Sequence, residues 1–270
     1  MFSPYYAWAR TRGRGEPEHH VALNVALYGP RARWTMTERG RAALARDATT
    51  CRIGRSALAW DGASLAIAID EVAVPIPRRV HGTVRVAPSA LPHRAVLLDA
   101  AGRHVWTPLA PHARVEVTMT EPELRWSGPG YLDANAGAEP LEDGFRFWTW
   151  SRFALASGTG VLYDATRCDG STLSLSLLFS PDGTVEERGA PPLARLPGTL
   201  WRVPRPTRAD ADAPPRLVRT LEDAPFYARS EVASRLWGEE ARGVHEALSL
   251  ERFRQTWVKL LLPFRMPRLG

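Results

Sequence analysis

Residues 56–76 read SALAWDGASLAIAIDEVAVPI, and this stretch decides the fold class of the chain. Two apolar runs flank Asp61 and Gly62, a pair that favours the tight turn of a β-hairpin. In the second run, large aliphatic residues alternate with smaller ones from Leu65 to Ile69, which is the period of a strand with one buried face. The stretch therefore predicts an antiparallel hairpin.

The same turn signal occurs twice more along the chain. Asp169-Gly170 and Asp182-Gly183 lie on either side of STLSLSLLF, an alternating run that predicts a strand between two hairpin turns. Between the first hairpin and these two, the runs VHGTVRVAP, RAVLLDA, HVWTPL and ARVEVTMT have the length and spacing of strands in a sandwich or barrel. We therefore expect an all-β protein built on antiparallel sheets.

Four other segments complete the outline of the fold. The run VALNVALYGP predicts a buried strand, and residues 37–47 predict a short helix that is weakened by Gly40. Residues 204–215 are rich in proline and charge and predict a loop. Between residues 230 and 262 apolar positions recur at helical spacing, so we expect a short C-terminal helical segment.

The length of 270 residues suits one large β domain or two smaller ones. The glycine-rich stretch 126–137 is the most marked break in composition near the middle of the chain. We place a boundary there, which gives an N-terminal β domain over residues 1–125 and a C-terminal β domain over residues 126–270.

The composition argues against several classes of protein. No apolar run approaches the about 18 residues of a membrane span, and the N-terminus lacks the apolar stretch of a signal peptide. Cys51 and Cys168 have neither metal-site spacing nor a disulfide framework, which fits a reducing compartment. The net charge of +6 is dispersed, and no basic run interleaved with aromatic residues indicates nucleic-acid binding. A modest basic excess does suit an anionic membrane face.

The stretch WSGPGYLDANAG, residues 126–137, holds the main candidate site. In an extended chain Tyr131 and Asp133 would share one face, and so would His104 and Trp106 upstream. If both pairs line one cavity, it contains an acid, a phenol, an imidazole and an indole. Structural roles are equally open to each residue, since a strand aromatic is usually core and an Asp near a turn often bonds its own backbone.

Motifs for common cofactors are missing from the sequence. There is no P-loop, no dinucleotide-binding glycine pattern after a strand, no nucleophile elbow and no zinc-ligand spacing. These absences argue against most cofactor-dependent chemistries and leave the function open.

Several long blocks spread over nearly the whole chain carry a family resemblance. In order they are HVALNVALYGP, IGRSALAWDG, GRHVWTPLAP, WSGPGYLDANAG, PLEDGFRFWTWSR, LEDAPFYARS and LLPFRMPR. Together they resemble the carotenoid 1,2-hydratases, also called hydroxyneurosporene synthases. Longer members of that family carry sequence before the FSPYY block, so the resemblance leaves open whether the first β unit is complete in this chain.

The resemblance implies two lipocalin-like β units and a cofactor-independent activity. That activity adds water across the terminal C1,C2 double bond of acyclic carotenoids such as neurosporene and lycopene, giving 1-hydroxy products. It also implies a cytoplasmic protein that is peripheral on the inner, photosynthetic membrane, because the carotenoid is dissolved in lipid. It says nothing about the oligomeric state, and no nucleic-acid partner is expected.

The family's His-x-Trp and Tyr-x-Asp motifs fall here on His104, Trp106, Tyr131 and Asp133. We hypothesise that Asp133 protonates C2 and that the rings of Trp106 and Tyr131 stabilise the cation at C1. A neutral His104 would hydrogen-bond Asp133 or act as the general base toward water.

Two further residues are assigned to substrate binding, Asn135 on the attacking water and Trp126 on the carotenoid. Two other functions remain open at this level. One is a carotenoid or isoprenoid carrier without catalysis, and the other is an enzyme that cyclises or rearranges a polyene. The bare residues do not separate the three.

Overall fold

Antiparallel strands make up most of the chain in a computed structural model that describes residues 2–269. The strands are β1 Val25–Leu27, β2 Arg33–Thr35, β3 Leu44–Arg46, β4 Thr50–Ile53, β5 Ser56–Trp60, β6 Leu65–Val72, β7 Arg79–Pro88, β8 Val96–Leu97, β9 His104–Glu121, β10 Glu123–Gly137, β11 Phe145–Leu155, β12 Gly158–Arg167, β13 Thr172–Phe179, β14 Val185–Glu187, β15 Leu193–Arg195, β16 Pro206–Arg208, β17 Arg216–Asp223, β18 Tyr227–Leu236 and β19 Glu239–Ser249. The α-helices are α1 Pro4–Arg10, α2 Leu141–Gly144, α3 Leu250–Phe253 and α4 Thr256–Leu261.

Two large open sheets organise these strands. One has eight strands in the order β10-β9-β7-β6-β5-β4-β3, with β8 paired to β9. The other has seven strands in the order β14-β13-β12-β11-β19-β18-β17. Most neighbours in each sheet are also neighbours in sequence, as expected of hairpin connections. The all-β antiparallel class predicted from the sequence is confirmed.

All three predicted hairpins form. Strands β5 and β6 pair antiparallel around the turn at Asp61 and Gly62, with Trp60 opposite Leu65. Strand β13 pairs with β12 and with β14 around the other two Asp-Gly turns. Each of these turn glycines has a positive φ, which glycine adopts without steric cost.

Five segments differ from the sequence prediction. The predicted loop 204–215 contains strand β16, whose residues 206–208 pair with β15. The runs HVWTPL and ARVEVTMT form one continuous strand, β9, rather than two. Residues 37–47 contain only a single 3₁₀ turn at Arg41–Ala43 before β3, because residues 44–46 pair with β4. Residues 227–249 form the hairpin β18–β19, so the predicted C-terminal helical segment is restricted to α3, α4 and the 3₁₀ turn Leu262–Phe264. The run VALNVALYGP contributes only the half-buried three-residue strand β1.

The chain divides into two compact units that are both discontinuous in sequence. Unit 1 comprises residues 1–88, 114–130 and 259–270, and unit 2 comprises residues 89–113 and 131–258. Strands β9 and β10 each contribute residues to both units. The predicted boundary at residues 125 and 126 falls inside β10, because a long strand need not end where its sequence becomes glycine-rich.

Each unit has its own apolar core. In unit 1 the core includes Ile69, Val80 and Met119, from β6, β7 and β9. In unit 2, β18 alternates between buried and half-buried residues along its whole length, and β11 does so from Trp148 to Phe153. Their buried face includes Phe153 and Val232 and forms an apolar cluster. The opposite, half-buried face of the same strands carries the candidate site.

Within residues 2–269 no helix is long and apolar enough to cross a membrane. Cys51 and Cys168 are both free thiols, in agreement with the absence of a disulfide framework in the sequence.

Candidate active site

Strand β10 carries Tyr131 and Asp133 and runs without interruption to Gly137. The strand lies unusually close to its neighbour β9 just before these residues. A side chain at Gly130 would place its Cβ 2.2 Å from Val115 Cγ2, so either the Val115 side chain or one of the strands would have to move. The glycine therefore lets β10 reach the position from which the two functional side chains project.

Asp133 accepts hydrogen bonds from the two aromatic residues that the sequence assigned to the same cavity. The indole Nε1–H of Trp106 donates to Asp133 Oδ2 over 2.7 Å, and the Tyr131 hydroxyl donates to the same oxygen over 3.0 Å. Neither residue bonds to Asp133 Oδ1. Asp133 is half-buried, whereas Trp106 is completely buried. The predicted sharing of a face by Tyr131 and Asp133 is confirmed.

Further aromatic rings surround this carboxyl. Tyr131 packs against Trp150, with ring centroids 5.1 Å apart, and Trp106 packs against Tyr163 at 5.7 Å. Trp150 and Tyr163 are directly opposite each other on β11 and β12. Trp148 is two residues before Trp150 and also contacts Tyr163, at 6.0 Å. Trp148, Trp150 and Tyr163, from β11 and β12, thus form an aromatic wall against the two hydrogen-bond donors of Asp133.

The aromatic surroundings change the ionisation of the carboxyl. Burial raises the pKa of Asp133, and the hydrogen bonds from Trp106 and Tyr131 offset only part of that rise. Burial also raises the pKa of Tyr131 and of Tyr163, so both phenols stay protonated at neutral pH. The site therefore combines a carboxyl biased toward its neutral acid form with two permanent phenol groups.

Three charged residues from unit 2 lie beside the aromatic wall. The guanidinium of Arg152 lies 5.6 Å from the centroid of the Tyr131 ring. Glu246 on β19 is opposite Trp150, and Arg229 on β18 is opposite Glu246. The Arg229 guanidinium bonds Glu246 Oε1 at 2.6 to 2.8 Å. Sequence analysis missed these residues and the aromatic wall, although the alternation in FRFWTWSR places Trp148, Trp150 and Arg152 on one strand face.

His104 is two residues before Trp106 on β9 but contacts other groups. Its Nε2 lies 3.4 Å from Glu139 Oε1, and its backbone N–H donates to Asp99 Oδ2 over 2.7 Å. The ring is 1% exposed and packs edge-on against Phe145. The hydrogen bond to Asp133 that the sequence suggested is thus replaced by a contact with Glu139.

The imidazole of His104 also explains why residues 137 and 144 are glycines. A Cβ at Gly137 would lie 2.9 Å from His104 Nδ1, and one at Gly144 would lie 2.8 Å from Nε2. The ring therefore fills the space between the end of β10 and the start of β11.

The two residues predicted to bind substrate are both accessible. Asn135 continues the face of Asp133 along β10 and is exposed. Trp126 belongs to unit 1, where its side chain is 47% exposed, whereas the other five predicted site residues belong to unit 2. Among residues 2–269, no group of three or more histidine, cysteine or acidic side chains is arranged to hold a metal ion.

Comparison with known proteins identifies the family. The family model described as carotenoid hydratase CrtC matches residues 1–270, the whole chain. The chain belongs to the carotenoid hydratase family. The resemblance noted from the sequence blocks is thereby confirmed.

Several relatives carry the name acyclic carotenoid 1,2-hydratase. The protein of Thiocapsa roseopersicina is 56% identical over all of this chain and 67% of its own length. That of Rubrivivax gelatinosus is 50% identical over 99% of this chain and 67% of its own length. That of Cereibacter sphaeroides is 44% identical over 99% of this chain and 95% of its own length. The names of these relatives support hydratase activity, a hydro-lyase reaction, for this chain.

Solved structures of distant proteins share the fold. A putative AttH protein of Nitrosomonas europaea superposes with a TM-score of 0.52 at 14% identity, covering 77% of this chain and 72% of its own. The structure of CghA with Sch210972 gives 0.52 at 12% identity, covering 82% and 81%. At this identity the likeness concerns the fold alone, and it agrees with the lipocalin-like β architecture of the carotenoid hydratase.

Proposed function

We propose that this carotenoid hydratase adds water across the terminal C1,C2 double bond of acyclic carotenoids by acid protonation followed by water capture. The names of its relatives support the substrate class. The observation that carries the mechanism is the half-buried Asp133 carboxyl, bonded through one oxygen by Trp106 and Tyr131 inside an aromatic wall.

Asp133 delivers the proton in this proposal. A carboxyl with an ordinary pKa of about 3.9 is ionised at neutral pH, so a proton donor needs the rise that burial provides. Both hydrogen bonds end on Oδ2, which directs the acid proton to Oδ1. A carotenoid end that enters the cavity displaces water and raises the pKa of Asp133 further.

Protonation at C2 leaves a tertiary cation at C1, which the aromatic rings stabilise. A cation over a desolvated ring face gains about 2 kcal/mol, or about thirtyfold in rate. The rings of Tyr131 and Trp106 adjoin the carboxyl through their hydrogen bonds, so a cation formed beside Asp133 meets them first. Ring stabilisation of this size assists the reaction but does not replace a strong proton donor.

The carboxylate that remains after proton transfer has stabilising neighbours. Trp106 and Tyr131 keep their hydrogen bonds to Oδ2, and the charge of Arg152 favours the ionised form of Asp133. These groups are fixed before the reaction begins, so little reorganisation accompanies the charge movement.

We assign His104 a positioning role. Its ring is wedged between Gly137 and Gly144 and bonds Glu139, so it fixes the end of the strand that carries Asp133. Asn135 and Trp126 remain our proposed contacts for water and for the carotenoid, respectively.

We further propose a peripheral position on the cytoplasmic face of the inner membrane. An acyclic carotenoid is about as long as the 30 Å hydrocarbon core of a bilayer, so one end can enter the protein while the rest stays in lipid. Unit 2 exposes an apolar group of Leu200, Trp201 and Trp257, in which the two indoles are stacked at 6.1 Å. If wild-type protein and Leu200→Asp sediment equally with anionic phospholipid vesicles, this group is not the contact.

The decisive experiment is hydration of neurosporene or lycopene dispersed in detergent, without added cofactor, by wild-type protein and by Asp133→Asn. We expect a product heavier by one water from the wild type and a loss of at least a hundredfold in rate for the variant, which cannot supply the proton. The control is Asp182→Asn, a turn carboxylate in unit 2 that bonds only its own turn. Near-normal turnover by folded Asp133→Asn would exclude Asp133 as the acid.

The same assay tests the carrier alternative. A carrier needs an apolar cavity but no acid. Folded wild-type protein that binds the carotenoid and yields no hydrated product would support a lipocalin-like carotenoid or isoprenoid carrier.

A further inference from the structure

Four side chains form a row across neighbouring strands of the seven-stranded sheet of unit 2, next to the hydrogen-bond donors of Asp133. Arg229, Glu246, Trp150 and Tyr163 are successive cross-strand partners on β18, β19, β11 and β12. Directly opposite residues of paired strands project from the same face of a sheet. The carboxylate of Glu246 therefore shares the half-buried face that also presents the two aromatic rings.

Asp133 lies over this same row. Its hydrogen-bond donor Tyr131 packs on Trp150, and its other donor packs on Tyr163. Glu246 is the next residue of the row after Trp150, and adjacent strands are about 4.8 Å apart. Asp133 on β10 and Glu246 on β19 belong to different sheets, and their side chains thus face the same region.

The electrostatics agree with that placement. The charge of Glu246 contributes to the raised pKa of both Asp133 and Tyr163. Arg229 holds Glu246 in a charge-assisted pair at 2.6 Å. The two carboxyls thus have different partners: Asp133 accepts hydrogen bonds from neutral aromatic donors, whereas Glu246 is paired with a guanidinium. Such a difference suits an acid and base pair.

The proposed reaction needs a second proton-transfer group. Water that adds to the C1 cation forms an oxonium ion, which must lose a proton to give the alcohol. An alkyl oxonium ion is far more acidic than any carboxylic acid, so a paired carboxylate is a sufficient base. The His104 ring is 1% exposed, with its Nε2 beside Glu139, so it is shielded from the attacking water. Asp133 has just delivered its own proton on the C2 side.

We propose that Glu246, held in place by Arg229, positions the attacking water and accepts its proton. This proposal rests on the function proposed above and extends it. Asp133 gives a proton to C2, the C1,C2 π-bond breaks, and a C–O bond forms at C1 as water gives its proton to Glu246. A proton then passes from Glu246 to Asp133 through water, so the net change is the addition of one water molecule.

The test follows deuterium as well as product, using the folded 270-residue chain in D₂O with lycopene in detergent. Glu246→Gln keeps the size and one hydrogen-bond acceptor for Arg229 but removes the base. We expect hydration to fall at least a hundredfold. The recovered lycopene should carry deuterium at C2, because Asp133 delivers a deuteron to C2 and the cation then loses the original C2 proton to the Asp133 carboxylate, which restores the double bond.

Two variants separate this inference from the proposed function. Asp133→Asn should give neither alcohol nor deuterium in the recovered carotenoid, and Glu186→Gln, which loses a surface pair with Arg188, should behave as wild type. If folded Asp133→Asn hydrates normally, the assignment of Asp133 as the acid is wrong. If it does not, but Glu246→Gln hydrates at the wild-type rate or shows no deuterium uptake, the role of Glu246 is wrong.

A second variant covers the case in which Glu246→Gln does not fold. Glu246→Asp keeps the charge and withdraws the carboxylate by one methylene. It should slow hydration at least tenfold while deuterium uptake into recovered lycopene continues. Unchanged hydration by folded Glu246→Asp would contradict a direct contact with the attacking water.

Discussion

Trp106→Phe removes the shorter of the two hydrogen bonds to Asp133 and leaves the other in place. The indole N–H donates over 2.7 Å, whereas the Tyr131 hydroxyl donates over 3.0 Å to the same oxygen. Phenylalanine keeps an aromatic ring against Tyr163 and Phe179. The substitution therefore tests the electrostatic part of the site with little change in its shape.

The magnitude follows from the difference between two hydrogen-bond strengths. A bond to the Asp133 carboxylate contributes about 1.5–3 kcal/mol, and a bond to its neutral form contributes about 0.5–1.5 kcal/mol. The loss of roughly 1–1.5 kcal/mol of preference for the anion raises the pKa of Asp133 further. Trp106 is fully buried, so the substitution also costs folding stability. The cost is about 2 kcal/mol or less, because phenylalanine still fills most of the space of the indole.

The pH profile of hydration reports this rise. Asp133 acts in its protonated form, so activity is present below its pKa and is lost as the pH increases through it. A higher pKa moves the alkaline limb of the profile to higher pH. Tyr131→Phe should move the limb in the same direction, since its hydroxyl also favours the anion.

The matched control is Trp148→Phe, which makes the same change in the same aromatic wall. Trp148 contacts Tyr163, but Asp133 takes its indole bond from Trp106. Its profile should keep the wild-type alkaline limb. An unmoved limb in Trp106→Phe, or one displaced to lower pH, would refute Asp133 as the acid that must be protonated.

Two further predictions concern folding. Gly130→Ala should lower the thermal unfolding temperature by several degrees, because its Cβ would meet Val115 at 2.2 Å, whereas Gly128→Ala, whose nearest neighbour is at 3.8 Å, should unfold near the wild-type temperature. Equal melting of the two variants would contradict the close approach of the strands. His245 is completely buried, and burial lowers its pKa from 6.5 to about 3. Its neutral form is required in the folded state, so stability should be fully present above about pH 6.5 and fall by about 1.4 kcal/mol per pH unit below it. Urea titrations should show a weaker acid dependence in His245→Gln, and identical slopes for the two proteins would contradict this linkage.

The hairpins could be predicted because their signals are local. Asp61 and Gly62 fit a tight turn by their own backbone preferences, and the alternation that follows matches one buried face. The hairpin β18–β19 has no such local signal, and its apolar spacing predicted a helix instead, since mixed spacing suits a helix as well as a strand. Pairing with β11 and β17 decides between them.

The candidate site was predictable only in part, for the same reason. Tyr131 and Asp133 are two residues apart, so strand geometry alone places them on one face. The indole of Trp106 reaches them because β9 pairs with β10, which the spacing did not predict. The family resemblance implied only that both motifs belong to one site. His104 shares the strand of Trp106, yet its partners are Asp99 and Glu139.

The sequence by itself determined the all-β class, the three Asp-Gly hairpins and the presence of an acid beside a phenol on one strand face. Only the tertiary structure decided which oxygen of Asp133 is bonded, which rings surround it and where Glu246 stands. Turn chemistry and strand periodicity act between neighbouring residues, so they can be read from a single chain. The pKa of a buried carboxyl depends on desolvation and on charges from distant strands, and those are fixed only when the sheets assemble.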